Sequence, residues 1–140
     1  MKKILIGTHN KGKFKELSFL LSKKIKKISP KFLKIKSPKE TGKTFEANAK
    51  LKVKYFSKFT DCPVISDDSG LCIKSLKNQP GIYSARWAKK YGSFNKAMKL
   101  ILKKMVKKKD RSAVFVCSLA LISNKKKIVI VTGKIKGFIS

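Results

Sequence analysis

The fold of this chain is decided by the stretch Val64-Ile65-Ser66-Asp67-Asp68-Ser69-Gly70-Leu71-Cys72-Ile73. Short apolar runs flank a polar segment that contains a glycine, a pattern that predicts a strand, a tight turn and a second strand. Two of the seven acidic residues stand side by side here. Neighbouring strand residues point to opposite faces, so a bend is needed to bring Asp67 and Asp68 together. Asp and Ser also fill turns by bonding to their own backbone, and this simpler interpretation stays open.

Length and composition predict one globular domain over residues 1–140. The chain is 42% hydrophobic, and at this length a protein buries roughly two-thirds of its surface. No apolar run reaches the roughly 18 residues that span a bilayer, and the run that ends at Gly7 is too short for a signal peptide. We therefore expect no membrane partner. The cysteines, odd in number and widely spaced, predict reduced buried thiols in a cytoplasmic protein; they are Cys62, Cys72 and Cys117.

The charge balance is strongly basic, with 36 Lys and Arg residues against 7 Asp and Glu. Lysines that neutralise phosphates release counterions, so non-specific attraction to polyanions is expected at low salt. Base-edge recognition relies on Arg and Asn pairs, and RNA binding on exposed aromatic residues. Arg86 and Arg111 are the only arginines, and the lysines are spread over nearly every segment. We therefore expect no specific nucleic-acid partner.

The first residues predict a strand, a loop and a helix. Lys3-Ile4-Leu5-Ile6 is continuously apolar after its lysine and predicts a buried strand, while Phe14, Leu17, Leu20 and Leu21 recur at helical spacing and predict one apolar face. The loop from Gly7 to Lys13 would offer unpaired backbone N–H groups at the helix N-terminus, a ready anion site. It also has P-loop spacing, but Phe14 stands where a P-loop needs Ser or Thr. A P-loop ATPase is therefore the weaker alternative.

The middle of the chain predicts a polar edge and a helix. Residues 23–36 alternate lysine with apolar residues, which predicts one or two short edge strands with lysine pointing outward. Thr44 is a good N-cap for a helix that reaches about Thr60. Glu40 lies in the loop before this helix, and nothing in helix chemistry requires an acid there.

The second half predicts two helices and two strands. Residues 79–87 predict a turn that leads into a short helix, and residues 95–108 predict an amphipathic helix with Ala97, Leu100, Ile101 and Met105 pointing inward. Residues 113–122 are nearly all apolar and predict a central strand that is buried on both faces. A turn at residues 123–125 leads to a last strand from Ile128. Together these elements predict an α/β fold.

Four ordered motifs resemble the inosine/xanthosine triphosphate pyrophosphatase family. They are Thr8-His9-Asn10-Lys11-Gly12-Lys13, Glu40-Thr41-Gly42-Lys43-Thr44-Phe45-Glu46-Ala47-Asn48-Ala49, Ser66-Asp67-Asp68-Ser69-Gly70-Leu71 and Pro80-Gly81-Ile82-Tyr83-Ser84-Ala85-Arg86. The resemblance implies a long twisted mixed β-sheet flanked by helices, in two lobes with a central cleft. It also implies hydrolysis of deaminated purine nucleoside triphosphates (ITP, dITP and XTP) to the monophosphate and pyrophosphate, with Mg²⁺ as cofactor, by a homodimer.

The resemblance implies roles for individual residues. The triphosphate would be bound by Thr8, His9, Asn10, Lys11, Gly12, Lys13, Lys52 and Ser69. Glu40 and Asp68 would hold magnesium, and Asp68 would also orient or deprotonate the attacking water. Alone, an Asp with a pKa of about 3.9 is a weak base at neutral pH, and a metal ion removes this difficulty by lowering the pKa of the water. Asp67 is expected to support Asp68, and whether Tyr83 and Arg86 shape the pocket or a dimer contact stays open.

The C-terminus departs from the family pattern. Relatives continue with a glycine-rich Phe-Gly-Tyr-Asp loop, a lysine and a Ser-His-Arg element that recognise the purine ring, and none of these occurs in the 140 residues. We therefore expect a C-terminally truncated form, or one whose missing part is supplied elsewhere. The alternative function is that of a weak or inactive family member that binds triphosphates or polyanions non-specifically.

Overall fold

The computed structural model describes residues 2–140, so Met1, with which the predicted domain begins, lies outside the described residues. The chain forms two compact units. One comprises the chain up to Asp68 together with Ser118–Val131, and the other comprises Ser69–Cys117 together with Thr132–Ser140. A single domain over residues 1–140 stays a prediction.

The described chain contains six strands and four helices. The strands are β1 (Lys3–Ile6), β2 (Lys26–Ile28), β3 (Val64–Ile73), β4 (Gln79–Pro80), β5 (Ser112–Ile122) and β6 (Ile128–Phe138). The helices are α1 (Lys11–Leu20), α2 (Phe45–Phe56), α3 (Ser84–Tyr91) and α4 (Phe94–Met105). The strands form one sheet in the order β2-β1-β3-β5-β6, and β4 pairs with β3. Because β1 is parallel to β2 and β3 while β4 is antiparallel to β3, the predicted mixed sheet with flanking helices is confirmed.

The stretch around the two aspartates is one continuous strand, so the predicted turn at that point is wrong. Asp67 and Asp68 lie in the middle of β3 and are both buried. Lys13 contacts the first carboxyl group and Asn48 the second, and both partners come from distant parts of the chain. Because partners from distant parts of the chain contact both carboxyl groups, β3 has no need of a turn in which Asp bonds to its own backbone.

The core of the first unit lies where α2 packs on the sheet. It contains Leu5, Ile35, Ala49, Val53, Phe56, Val64, Ala120 and Ile122. Helix α2 begins as predicted, because Thr44 Oγ1 accepts a hydrogen bond from the Ala47 N–H at 3.0 Å and caps the first turn. A 3₁₀ turn over Ser57–Phe59 extends it towards the predicted end at Thr60. The buried residues of α2 therefore hold this helix on the sheet, and other side chains of the same helix reach the aspartates.

The core of the second unit is formed by Ile73, Ile101, Met105 and Ala113. Ala97, Ile101 and Met105 of α4 are buried and Leu100 is half-buried, which confirms the predicted inward face of that helix. The short helix predicted after residue 79 is also confirmed as α3.

Two predicted apolar faces are narrower than expected. In α1 only Leu17 is buried and Leu20 is 72% exposed, so the predicted four-residue apolar face is wrong. In β5 burial alternates, with Phe115 and Leu121 exposed, so burial on both faces is also wrong. These strands and helices pack against apolar neighbours on one side only, and the pattern of apolar residues cannot tell which sides are covered. From residues 23–36 only β2 forms, as an edge strand with three residues.

None of the helices within residues 2–140 combines the length and the apolar character that crossing a membrane requires.

Candidate active site

Three segments of the first unit bring charged side chains to the buried carboxyl groups of β3. Lys13 comes from α1, Glu40 from the loop before α2, Lys52 from α2, and Asp67 and Asp68 from β3. The contacts among them join residues that are far apart in sequence, so packing of α1 and α2 assembles this group.

Lys13 meets the first of the two aspartates. Its Nζ lies 3.2 Å from Asp67 Oδ2. The lysine side chain is 26% exposed, whereas the aspartate side chain is 8% exposed. Since Lys13 is the third residue of α1, its charge stands at the N-terminal end of the helix, where anions are also favoured by the helix dipole.

Lys52 bridges the loop and the strand. Its Nζ lies 2.5 Å from Glu40 Oε1 and donates a hydrogen bond of 2.9 Å to the carbonyl oxygen of Asp67. Lys52 and Glu40 are both largely buried, with side chains 16% and 23% exposed. A charge-assisted bond of this kind holds the Glu40 loop against β3.

Asp68 has an unusual protonation equilibrium. Burial raises the pKa of its carboxyl group from the ordinary 3.8 to about 6, and the negative charge of Glu40 acts in the same direction. The positive charges of Lys52 and Lys13 and the hydrogen bond from Asn48 lower it by less. A carboxyl group with a pKa near 6 is a better proton acceptor at neutral pH than an ordinary aspartate.

Glu40 and Asp68 fit a divalent cation. The negative charge of Glu40 raises the pKa of Asp68, so the two carboxylates repel each other, and a bound cation would relieve that repulsion. Mg²⁺ is typically held by one or two carboxylates, with water and substrate phosphate oxygens as its other ligands. Within residues 2–140, no group of three or more His, Cys, Asp and Glu side chains is arranged to hold a metal ion.

The loop before α1 is closed by its own side chains. Asn10 Oδ1 accepts hydrogen bonds from the N–H groups of Gly12 and Lys13, and Thr8 Oγ1 accepts one from the Asn10 N–H. Asn10 is therefore the N-cap of α1, which begins at Lys11. Three backbone donors that were expected to face a phosphate are bonded within the loop in this structure.

The remaining predicted substrate residues flank this group. His9 and Lys11 are exposed beside the N-cap, and the His9 ring centroid lies 6.4 Å from that of Phe56. Ser69 directly follows Asp68 on β3 and is half-buried. Gly7 packs so closely on β3 that a Cβ atom there would overlap Ser66 Oγ, which itself donates a 2.9 Å hydrogen bond to the Gly7 carbonyl.

Asn48 was missed by sequence reasoning. It is fully buried on α2 and donates a 3.3 Å hydrogen bond from Nδ2 to Asp68 Oδ2. Its Oδ1 accepts a 2.7 Å hydrogen bond from the Gly42 N–H. The spacing could have revealed it, because residues 48 and 52 are one helical turn apart and therefore share a face of α2.

Comparison with known proteins identifies the family of this chain. The model of the Ham1 family matches residues 4–140. A dITP/XTP pyrophosphatase from Oceanobacillus iheyensis is 43% identical over 144 residues, covering 99% of this chain and 73% of the relative. A dITP/XTP pyrophosphatase from Dictyoglomus thermophilum is 38% identical over 143 residues, covering 98% of this chain and 69% of the relative. The chain spans between 54% and 74% of the length of such curated relatives.

Solved structures give the same result. A HAM1 protein from Coxiella burnetii has a TM-score of 0.88 and 32% identity, covering 100% of this chain and 74% of that one. The Ham1 protein of Staphylococcus aureus has a TM-score of 0.87 and 33% identity, covering 99% and 72%. The resemblance of the four sequence motifs is thereby confirmed. The chain belongs to the Ham1 family.

Proposed function

We propose that this chain hydrolyses deaminated purine nucleoside triphosphates (ITP, dITP and XTP) to the nucleoside monophosphate and pyrophosphate, and so removes them from the nucleotide pool. The observation that carries the proposal is the group of two lysines and three carboxyl groups in the first unit, which combines phosphate-binding charges with an acid–base residue. The relatives named dITP/XTP pyrophosphatase support the same activity.

The lysines are assigned to the triphosphate. Lys13 and Lys52 are the cations nearest the buried carboxyl groups, and each is paired with an acid at 3.2 Å or less. The other substrate-binding residues in the proposal lie next to them in the chain or on the same strand; they are Thr8, His9, Asn10, Lys11, Gly12 and Ser69. A phosphate that enters here would exchange the carboxylate partners of the lysines for its own oxygens.

Asp68 is assigned the role of accepting a proton from the attacking water. Hydrolysis breaks the bond between the α- and β-phosphates, and water supplies the new oxygen while its proton goes to a base. Asp68 is buried, and in the metal-free chain its pKa of about 6 leaves the carboxyl group deprotonated at neutral pH, the state that a proton acceptor needs. Positioned proton transfer of this kind contributes about 10²–10⁴-fold to a rate.

Magnesium is the proposed cofactor, and Glu40 and Asp68 are its proposed protein ligands. Bound there, the ion would neutralise charge on the phosphates and lower the pKa of the attacking water. The two carboxyl groups supply the hard oxygen donors that Mg²⁺ prefers.

A pyrophosphate-release assay tests the proposal. ITP, XTP and ATP are compared with and without Mg²⁺, and Asp68→Asn serves as the matched inactive variant. We expect release from ITP and XTP that depends on Mg²⁺ and is lost in Asp68→Asn. Equal, weak turnover of all three nucleotides that Asp68→Asn leaves unchanged would support non-specific triphosphate or polyanion binding instead.

We further propose that the protein is cytoplasmic, acts as a homodimer, and has no specific nucleic-acid partner. The described chain has no disulfide, which agrees with a reducing compartment, although its three cysteines are half-buried and not buried as predicted; they are Cys62, Cys72 and Cys117. The homodimer rests on the family resemblance, and sedimentation at several protein concentrations tests it.

A further inference from the structure

We propose that Asn48 is a positioning residue that fixes the loop carrying Glu40 relative to Asp68. The inference rests on the proposed function, because it takes Glu40 and Asp68 as the two protein ligands of the metal ion. Asn48 itself would touch neither the metal nor the triphosphate. It would act through the two groups to which it is bonded.

The carboxamide of Asn48 is bonded at both ends and fully removed from water. Nδ2 donates to Asp68 Oδ2 at 3.3 Å, and Oδ1 accepts from the Gly42 N–H at 2.7 Å. A buried amide that loses either partner bears the desolvation cost of the unpaired atom, so the two bonds together favour one orientation of the side chain. The same side chain is thus tied to the strand and to the loop.

The bond to Gly42 also restrains Glu40. The two residues are separated by one intervening residue, and two residues of extended chain span at most about 7 Å. The Glu40 carboxyl group is held at its other end by Lys52. The loop therefore has one backbone restraint and one side-chain restraint, and both come from α2.

Gly42 supplies an independent observation. A Cβ atom at this position would lie 2.5 Å from Asn48 Oδ1 and 2.9 Å from the Ala47 Cβ. Such contacts are shorter than packed atoms tolerate, so the loop can approach α2 to hydrogen-bonding distance only with glycine at position 42. The hydrogen bond between Gly42 and Asn48 therefore requires the close approach of the loop to α2, and that approach requires glycine at position 42.

An uncharged donor suits this place beside a metal ligand. The amide N–H limits rotation of the Asp68 carboxyl group without adding a positive charge that would compete with a cation. Hydrogen-bond partners of metal ligands fix the direction of the ligand oxygens, and their loss typically costs about 10–100-fold in metal affinity or activity. That range sets the expected effect of changing Asn48.

Three variants test the inference. Asn48→Leu removes both hydrogen bonds and keeps the branching of the side chain, and Gly42→Ala disturbs the loop end alone. Ser57→Ala is the control, because Ser57 is also buried at the end of α2 but its hydroxyl donates to the Lys54 carbonyl at 2.8 Å. Calorimetric titration with Mn²⁺, without nucleotide, measures metal affinity, and the Mg²⁺ concentration at half-maximal ITP hydrolysis is measured in parallel.

We expect Asn48→Leu to weaken Mn²⁺ binding and to raise the Mg²⁺ midpoint, each by about 10–100-fold. Gly42→Ala should move both in the same direction. Ser57→Ala should lower only the unfolding temperature, because a purely structural role does not move a metal midpoint. A folded Asn48→Leu protein with wild-type Mn²⁺ affinity would overturn the inference. If Asn48→Leu does not fold, the Mn²⁺ affinity of Gly42→Ala is the test. Wild-type affinity in Gly42→Ala would then overturn the inference.

The proposed function can fail separately. If the wild-type protein hydrolyses ITP but the variants bind Mn²⁺ as tightly as the wild type does, the inference is wrong and the proposed function stands. If the variants bind Mn²⁺ more weakly than the wild type as expected, but the wild type releases no pyrophosphate, the inference stands and the proposed function is wrong. Wild-type protein that binds no Mn²⁺ overturns the inference together with the assignment of the metal ligands.

Discussion

The ammonium group of Lys52 lies 2.5 Å from Glu40 Oε1, in a pair whose side chains are 16% and 23% exposed. In the nucleotide-free protein, Lys52 therefore neutralises a carboxylate that the proposed function assigns to a metal ion. Exposed ion pairs contribute little to stability. This pair is largely buried, so water and salt screen its attraction less. A metal ion bound by Glu40 would compete with Lys52 for this carboxylate, and a Lys52 released from Glu40 would be available to a phosphate.

Replacing Lys52 should separate metal binding from turnover. Lys52→Gln removes the cation that competes for Glu40, so we expect tighter Mn²⁺ binding in the absence of nucleotide. The same change removes a charged phosphate contact and should lower kcat/KM for ITP by about 10–100-fold, the range of one charge-assisted hydrogen bond. Lys50→Gln, exposed on the same helix, is the matched control. Weaker Mn²⁺ binding in Lys52→Gln would contradict this prediction.

Asp68→Asn should lower activity and raise the stability of the metal-free protein. Loss of the base alone is expected to lower kcat by about 10²–10⁴-fold, and loss of a metal ligand adds to this. The buried charge disappears, so the metal-free variant should unfold at a higher temperature than the wild type at pH 7. Circular dichroism melts and pyrophosphate release measure the two effects. A variant as active as its parent would remove Asp68 from the mechanism.

The stability of the metal-free protein should carry a pH dependence that comes from Asp68. Its pKa is about 6 in the folded chain, against an ordinary value of 3.8. Between these values the folded state binds more protons than the unfolded state, so the free energy of unfolding falls as pH rises. The loss is complete above about pH 7 and is on the order of 3 kcal/mol.

Urea unfolding at several pH values measures this dependence, with Asp68→Asn as the reference. The difference between the two proteins isolates the Asp68 contribution from that of the other acids. A difference that does not change between about pH 4 and about pH 7 would mean that the carboxyl group is not buried as described.

Lys13 should matter for the triphosphate more than a general basic charge does. Lys13→Ala removes a charge that is held beside Asp67 at the start of α1, whereas Lys15→Ala removes an exposed charge from the same helix. We expect KM for ITP to rise about tenfold or more in the first variant and little in the second, because only Lys13 makes a charge-assisted contact at the site. Equal changes that vanish with added salt would indicate diffuse attraction instead.

Strand β6 should promote association of the isolated chain. It is the last strand of the sheet order, and Val129, Val131 and Ile135 are 58%, 61% and 72% exposed. Exposed apolar edge strands pair with other chains. The net charge of +29 opposes such contact, so association should increase with salt because salt screens the repulsion.

Sedimentation velocity at low and high salt measures this association. Val131→Thr should reduce it, while Val106→Thr, which changes a valine that is 74% exposed in the second unit, should not. Identical behaviour of the two variants would show that β6 is not the contact.

Local pattern was sufficient for much of the fold and for the family. Strand β1, the N-cap Thr44, the inward face of α4 and the four motifs all depend on residues a few positions apart, which periodicity and capping chemistry describe well. The apolar character of β5 was equally clear, but its covered face was not. Only packing decides whether an apolar side chain meets a helix or water.

The sequence by itself determined that Asp67 and Asp68 stand between β-forming residues, and its resemblance to one family implied roles for Glu40, Lys13 and Lys52. The tertiary structure alone decided that β3 continues without a turn, that Lys52 pairs with Glu40, and that Asn48 reaches Asp68. The last contact joins residues 20 positions apart, in a place from which water is excluded. Burial makes an unpaired polar group costly, so the partner that satisfies it is selected by the packing of α2 on the sheet, which local sequence does not encode.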